Sequence, residues 1–210
     1  MSSTLGQIHH WLYDKIVISE KIDEDIIGWA NSQGLPASDW MEQIIEKYGK
    51  PTGAKSLKSI IDRSNIHMWL FERMKSAELR QAALITAVLK ENPGYKQNLA
   101  EIFRQHGEKS AREYQEAFPN NPEEIYIVLN DFILEGMPSD RVNEILSGNE
   151  NVIIWRTTKC LHKPYWDEVN GDVEHFYDLR EAWVKAFVEA INPEFSYERR
   201  PGGNHKITRK

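Results

Sequence analysis

The sequence contains a single cysteine, Cys160, among its 210 residues. One cysteine cannot form an internal disulfide, which favours a reducing compartment over a secreted protein. The first residues, Met1 to Gly6, also lack the basic segment and apolar core of a signal peptide. We therefore expect a cytoplasmic protein.

Long apolar runs and an excess of basic charge are missing as well. No run approaches the ~20 apolar residues that a transmembrane helix needs, so we expect no membrane partner. The formal net charge is -6 and the pI is about 5.7. Proteins that bind nucleic acid present a basic surface instead, so we expect no nucleic-acid partner. A basic cluster near the C terminus is interpreted either as a solvated tail or as a site for an anionic group; it comprises Arg199, Arg200, Lys206, Arg209 and Lys210.

The signature motifs of several enzyme classes are also absent. The sequence has no phosphate-binding loop, no dinucleotide fingerprint, no Gly-x-Ser-x-Gly and no His-Glu-x-x-His. Pro201-Gly202-Gly203 is a glycine turn, but no helical pattern follows it to receive a phosphate. Function therefore has to be inferred from individual side chains.

The first 60 residues are patterned as short helices. Apolar residues at helical spacing predict three helices over residues 4–50, the third of them capped by Ser38. A polar connector with a turn of helix at Leu57–Ile61 follows. Because this connector is the best candidate boundary, we predict an N-terminal helical extension over residues 1–60 and an α+β hydrolase-like domain over residues 61–210.

Three longer helical patterns come next. Asn65–Glu91 has apolar residues on most of its sides, which predicts a buried central helix. Leu99–Phe118 is amphipathic, with a kink predicted at Gly107. Pro122 opens the third pattern, which runs to about Leu134 and has acidic residues in its first turn.

The rest of the chain changes to short extended runs separated by turns. Flanking turn residues predict strands at Val142–Leu146 and Asn151–Lys159, joined by a hairpin turn over Ser147–Glu150. The remaining predicted segments are a loop over Leu161–Gly171, a helix from Asp172 to about Ile191, and two extended runs over Phe195–Arg200 and His205–Thr208.

These patterns predict an α+β fold. A mostly helical N-terminal part would be followed by a small antiparallel sheet that one long helix crosses. If the strands pair antiparallel, Cys160 lies near the turn formed by Gly202, Gly203, Asn204 and His205.

Cys160 is the first candidate for chemistry. It ends a predicted strand and enters a loop that carries His162. A thiolate is the reactive form of cysteine, and a neighbouring imidazole promotes it. We predict Cys160 as nucleophile, His162 or His205 as base, and Asp172 as the group that orients a histidine or transfers a proton. The alternative interpretation is that Cys160 is a small buried apolar residue.

Other side chains extend this candidate site. Cys160, His175 and His205 are ligand types suited to zinc, although their spacing matches no zinc motif; the cofactor is therefore either none or zinc. Arg199 is a candidate for holding a substrate carboxylate, and His175 is a further candidate for substrate binding. Trp166 is predicted to form an apolar wall for a small ligand, with the core as its alternative location.

The order of these features resembles the L-2-amino-thiazoline-4-carboxylic acid hydrolase-like family, over roughly residues 95–210. The shared features are a strand that ends in Cys160, an aromatic loop with Trp166, a helix, Asn192-Pro193 and a closing glycine-rich turn. The resemblance implies hydrolysis of a cyclic amidine or a related C–N bond in a small amino-acid-derived compound, with Cys160 as reactive or ligand residue.

The sequence departs from that family at two positions. The family pattern has further cysteines where His175 and His205 stand here. Either a cysteine-rich site has become a Cys/His site, or the chemistry of the family is lost.

Three interpretations of function follow. The first is a small cytoplasmic enzyme of biosynthetic metabolism that acts on a C–N or thioester-like bond. The second is a non-catalytic small-ligand-binding or biosynthetic accessory domain with the same pocket. The third is an interaction protein whose N-terminal helices pack on a partner or on a second copy, as in a homodimer.

Overall fold

The structure is a computed structural model, and it describes residues 5–114 and 117–210. Within these ranges, eight α-helices and one four-stranded sheet confirm the predicted α+β fold. The helices and strands in chain order are α1 (Gln7–Ser32), α2 (Ala37–Tyr48), α3 (Leu57–Ile60), α4 (Ile66–Glu91), α5 (Lys96–Glu113), α6 (Pro122–Phe132), β1 (Asn143–Asn149), β2 (Val152–Thr157), α7 (Lys163–Glu168), α8 (Val173–Ile191), β3 (Phe195–Arg200) and β4 (Asn204–Arg209). None of the helices in these ranges combines the length and the apolar character needed to cross a membrane.

The chain divides into two compact units. The first unit contains the chain up to Tyr95 together with residues 162–173, and the second contains residues 96–161 and 174–210. The boundary predicted at residue 60 lies inside the first unit, because α4 packs against both α1 and α2. α1, α2 and α3 therefore belong to the same compact unit as α4.

In the first unit a single helix, α1, occupies the region where the sequence predicts two helices. α1 is a continuous helix of 26 residues, and its buried face includes the charged residues Glu20 and Asp23. The Arg80 guanidinium donates to Glu20 at 2.5 Å, and the Gln81 side-chain amide donates to Asp23 at 2.9 Å. These partners from α4 allow charged positions to face inward without interrupting the helix.

The beginnings of α2 and α4 differ in their capping. Ser38 does not cap α2: it is the second residue of that helix, and its hydroxyl accepts a hydrogen bond from Asn31 Nδ2 at 2.8 Å. Asn65 does cap α4, since its side chain accepts from the backbone N–H of Met68 at 3.1 Å. α4 carries buried residues along its whole length, which confirms the predicted central helix.

The first unit also contains a helix where the sequence predicts a loop. α7 occupies Lys163–Glu168, with Pro164 in its first turn, where the missing proline N–H costs nothing. α7 packs against α4, and Trp166 is buried there.

The second unit is built on an antiparallel sheet with strand order β1-β2-β4-β3. α6 packs against β1, β2 and β4. β1 is longer than predicted: it extends to Asn149, and the turn into β2 consists of Glu150 and Asn151. β2 pairs with β4 so that Trp155 lies opposite His205.

α5 passes through Gly107 as a continuous helix and ends at Glu113, before the predicted end at Phe118. The backbone of α8 approaches Gly107 so closely that a Cβ atom there would overlap the carbonyl oxygen of Trp183. The glycine therefore permits close helix packing and does not mark a kink.

Candidate functional site

A cleft of about 600 Å³ lies in the second unit, where β2 ends beside the turn that joins β3 to β4. It is lined by Thr157, Thr158, Lys159, Cys160, Glu174, Tyr177, Glu181, Arg199, Arg200, Pro201, Gly202, Gly203 and His205. The cleft therefore joins the end of β2 to the glycine turn, as the predicted antiparallel pairing requires. Three of the predicted site residues line it: Cys160, Arg199 and His205.

The glycine turn forms one wall of the cleft because two of its residues have a left-handed backbone. Gly202 has φ 73° and Gly203 has φ 72°, a region that favours glycine. A Cβ atom on Gly203 would lie 2.9 Å from the carbonyl oxygen of Thr157. Glycine at this position allows the turn to approach the end of β2.

Cys160 is exposed and lines the cleft. Its thiol is thus placed where a ligand can reach it. The alternative interpretation of Cys160 as a buried apolar residue is wrong, because the last strand residue, Thr157, leaves the cysteine outside the sheet.

His205 lies at the floor of the cleft with both ring nitrogens occupied. Its Nδ1 is 2.7 Å from the Tyr197 hydroxyl, and its Nε2 is 3.1 Å from Thr157 Oγ1. Its ring stacks on Trp155, with centroids 5.1 Å apart. Burial, followed by the positive charges of Arg180 and Arg199, lowers the pKa of His205 to about 4.

These contacts weigh against His205 as the base that activates Cys160. At neutral pH the imidazole is uncharged, and each of its nitrogens already has a partner within the sheet. A general base needs an accessible lone pair and a pKa near the working pH. The geometry favours a structural or ligand-orienting role for His205.

Arg199 faces carboxylates. Its guanidinium donates to Asp178 at 2.5 Å and to Glu181 at 3.0 Å, and it lies 3.9 Å from Glu174. These three acids belong to α8, so Arg199 links β3 to that helix. A substrate carboxylate would have to compete with these partners, which weakens the carboxylate-binding role predicted for Arg199.

A second, smaller cavity of about 40 Å³ lies against the same floor. Both cavities are lined by Thr157, Tyr177 and His205. The rest of its lining combines polar groups, among them Asn130, Glu135, Asn143 and Arg180, with the apolar side chains of Leu129, Ile133, Trp155 and Val184. Its volume is sufficient for one or a few water molecules.

The sequence interpretation missed Thr157, Tyr197 and Asn143. For Tyr197 a signal was available in the sequence. Tyr197 and Arg199 are two residues apart in an extended run, so both side chains lie on the same side of β3. For Thr157 and Asn143 the necessary information is the strand register, which pairs them across β1 and β2.

The other predicted site residues lie elsewhere. His162, Trp166 and Asp172 belong to the first unit. His162 is buried, with Nδ1 2.9 Å from Glu78 Oε2, and Trp166 is buried as well. His175 belongs to the second unit but is not among the residues that line the cleft; its Nδ1 is buried without a hydrogen-bond partner in the described part of the chain.

The metal interpretation has no geometric support. Throughout residues 5–114 and 117–210, no group of three or more His, Cys, Asp or Glu side chains is arranged to hold a metal ion. Cys160, His175 and His205 therefore do not form a zinc site in this structure.

Comparisons of the chain with protein-family models, with curated proteins and with solved structures find no match. The resemblance to the L-2-amino-thiazoline-4-carboxylic acid hydrolase-like family thus stays a prediction from the residues that carry it.

Proposed function

We propose that the second unit binds a small polar metabolite in the cleft at the end of β2. The observation that carries this proposal is the cleft itself, which gathers an exposed thiol and charges of both signs around about 600 Å³. That volume lies within the range of small-molecule sites in proteins.

The lining indicates the chemical class of the ligand. Lys159 supplies positive charge to the lining and Glu174 supplies negative charge, whereas Arg199 and Arg200 are engaged by Glu181 and Glu198. A ligand with both an ammonium and a carboxylate group complements such a lining better than a purely anionic or purely apolar one. We therefore propose a small amino-acid-derived compound.

This function is tested by titrating the protein with free amino acids and with their N-acetyl and methyl ester derivatives, using calorimetry. We expect the free amino acids to bind best, and the Lys159→Met substitution to weaken binding about tenfold, since charged hydrogen bonds contribute the most. Lys185→Met is the matched control, because Lys185 is an exposed lysine of the second unit outside the cleft. Absence of binding across the panel, or equal affinity in both variants, would refute the proposal.

A second candidate function is catalysis by Cys160, and the exposure of its thiol at the cleft favours it. The thiolate would attack an electrophilic carbon of a C–N or thioester-like bond, the leaving nitrogen or sulfur would take up a proton, and water would then release the product from the sulfur. The occupied nitrogens of His205 leave the proton acceptor to another group or to solvent.

Catalysis and binding are distinguished by the Cys160→Ala and Cys160→Ser variants. If the domain is an enzyme, both variants lose turnover while they retain the melting temperature and the ligand affinity. Ligand binding without turnover in the unmodified protein supports the non-catalytic function. Full activity of a folded Cys160→Ala variant would exclude the thiol from the chemistry.

A further inference from the structure

Four polar side chains form a hydrogen-bonded chain across the sheet of the second unit. Each strand contributes one of them: Asn143 from β1, Thr157 from β2, His205 from β4 and Tyr197 from β3. The contacts are 2.7 Å between the Tyr197 hydroxyl and His205 Nδ1, 3.1 Å between His205 Nε2 and Thr157 Oγ1, and 3.0 Å between Thr157 Oγ1 and Asn143 Oδ1. We refer to these four residues as the relay.

The donor and the acceptor in each hydrogen bond of the relay follow from the number of protons that each group carries. The Thr157 hydroxyl donates its one proton to Asn143 Oδ1, so towards His205 it must accept. His205 Nε2 therefore carries a proton. A neutral imidazole has only one N–H, which leaves Nδ1 as the acceptor of the Tyr197 hydroxyl proton.

The surroundings of His205 maintain this state. Burial and the charges of Arg180 and Arg199 lower the pKa of the ring to about 4, so it remains neutral at physiological pH. Burial also raises the pKa of Tyr197, with a further contribution from Glu181, so its hydroxyl keeps the proton that the relay requires. Stacking on Trp155 fixes the orientation of the ring.

The two inner members of the relay, Thr157 and His205, lie at the ligand cleft. Thr157 and His205 line both the cleft and the small inner cavity, and Thr157 is half-buried. The hydroxyl oxygen of Thr157 has two lone pairs, of which His205 uses one. Its proton is engaged by Asn143, so towards the cleft this oxygen can accept a hydrogen bond but cannot donate one.

We infer that the relay makes Thr157 a hydrogen-bond acceptor that selects ligands presenting an N–H donor, with Tyr197 and His205 as positioning residues. This inference rests on the proposed ligand-binding function and deepens it. An amine or amide N–H satisfies the Thr157 lone pair, whereas a carboxylate or carbonyl oxygen at that point would face another acceptor without a proton between them.

The first test is the protonation state of His205, which does not depend on any ligand. In protein labelled with ¹⁵N-histidine, we expect long-range ¹H–¹⁵N spectra at pH 7 to show the His205 ring protonated at Nε2 only. Tyr197→Phe removes the donor to Nδ1, so we expect the Nδ1–H form to become populated in that variant. A wild-type ring protonated at Nδ1 would overturn the relay, whether or not the cleft binds a ligand.

The second test uses glycine and N,N,N-trimethylglycine, which carry the same charges but differ in N–H donors. In NMR titrations we expect glycine to bind about ten times more tightly. Thr157→Val should remove this preference and Thr157→Ser should restore it. Thr208→Val is the matched control, because Thr208 belongs to β4 but lies at the opposite end of its pairing with β2.

The outcomes separate this inference from the proposed function. A ring protonated at Nε2 with equal affinity for both probes would refute donor selection while ligand binding stands. A ring protonated at Nε2 with no binding of either probe or of any amino acid in the panel would refute the ligand-binding function and the acceptor role together, although the relay would stand as a structural feature.

Discussion

Asp23 is a buried carboxylate whose replacement by asparagine should stabilise the protein at neutral pH. It lies on α1, fully enclosed, and accepts a hydrogen bond from Gln81 Nε2 at 2.9 Å. Burial raises the pKa of Asp23 to about 7, although the Gln81 amide and the charge of Arg80 act in the opposite direction. The Asp23→Asn substitution keeps an oxygen for the Gln81 amide and removes the charge that burial disfavours.

The size of the effect follows from the difference between the folded and the ordinary pKa. The folded value of about 7 exceeds the ordinary 3.8, so the folded protein holds the Asp23 proton more tightly than the unfolded chain does. Stability from this group is complete below about pH 4 and is lost as the pH rises towards 7. The loss is about 1.4 kcal/mol per pH unit, or roughly 4 kcal/mol in total.

The assay is urea denaturation of wild-type protein and Asp23→Asn between pH 4 and pH 8. We expect the variant to gain relative stability up to about pH 7 and then to keep a constant advantage of a few kcal/mol. Asp25→Asn is the matched control, since Asp25 is an exposed acid on the same helix and should show no such rise. An Asp23→Asn variant whose relative stability does not change with pH would refute the reasoning.

Glycine substitutions test the packing of both units. Gly107→Ala should destabilise the protein by about 2 kcal/mol in denaturant melts, because its Cβ would overlap the Trp183 carbonyl oxygen. Gly28→Ala should instead stabilise the protein by about 0.5–1 kcal/mol, because Gly28 lies in a helix and no atom is within 4 Å of the added carbon. A similar loss of stability in both variants would contradict the packing argument. Gly203→Ala should lower the stability by at least about 1 kcal/mol, because Gly203 has a left-handed backbone and the added Cβ would contact the Thr157 carbonyl oxygen. It should also shift the NMR signals of the cleft residues. Wild-type stability of this variant would refute the role of Gly203 in the turn.

Association through the N-terminal helices is tested by a surface substitution rather than by deleting these helices. Deletion of residues 1–50 would remove α1 and α2, whose buried residues pack against α4 in the first unit. A substitution on the surface is preferable. Ile8→Lys changes an exposed apolar side chain in the first turn of α1 and leaves the core intact. Association through this surface predicts a later elution volume for the variant than for the wild-type protein.

Several elements could be predicted from the sequence because local chemistry determines them. α4 begins at an asparagine cap and carries apolar residues all round, a pattern that few other structures accommodate. The strands of the second unit are short β-branched or aromatic runs between turn residues. Their antiparallel pairing placed Cys160 beside the Gly202–Gly203 turn, as the order of the segments indicated.

Other elements could not be predicted, because their partners are distant in the sequence. Whether Glu20 interrupts a helix or faces inward depends on Arg80, 60 residues away. The sequence predicts His162 as a base, but in the structure its imidazole is buried and paired with Glu78, 84 residues away. A local pattern records the polarity of a residue but not whether another segment supplies the matching group.

The sequence by itself determined the fold class, most of the secondary structure and the proximity of Cys160 to the glycine turn, because hydrophobic period, caps and turn residues act over a few neighbouring positions. Only the tertiary structure decided which polar side chains became available to a ligand. Strand register brought Asn143, Thr157, His205 and Tyr197 into one chain of hydrogen bonds, and α8 surrounded Arg199 with carboxylates. The physical reason is that the partners of a buried polar group in space determine its protonation state and the hydrogen-bond donors and acceptors it has left for a ligand. A linear sequence does not specify those partners.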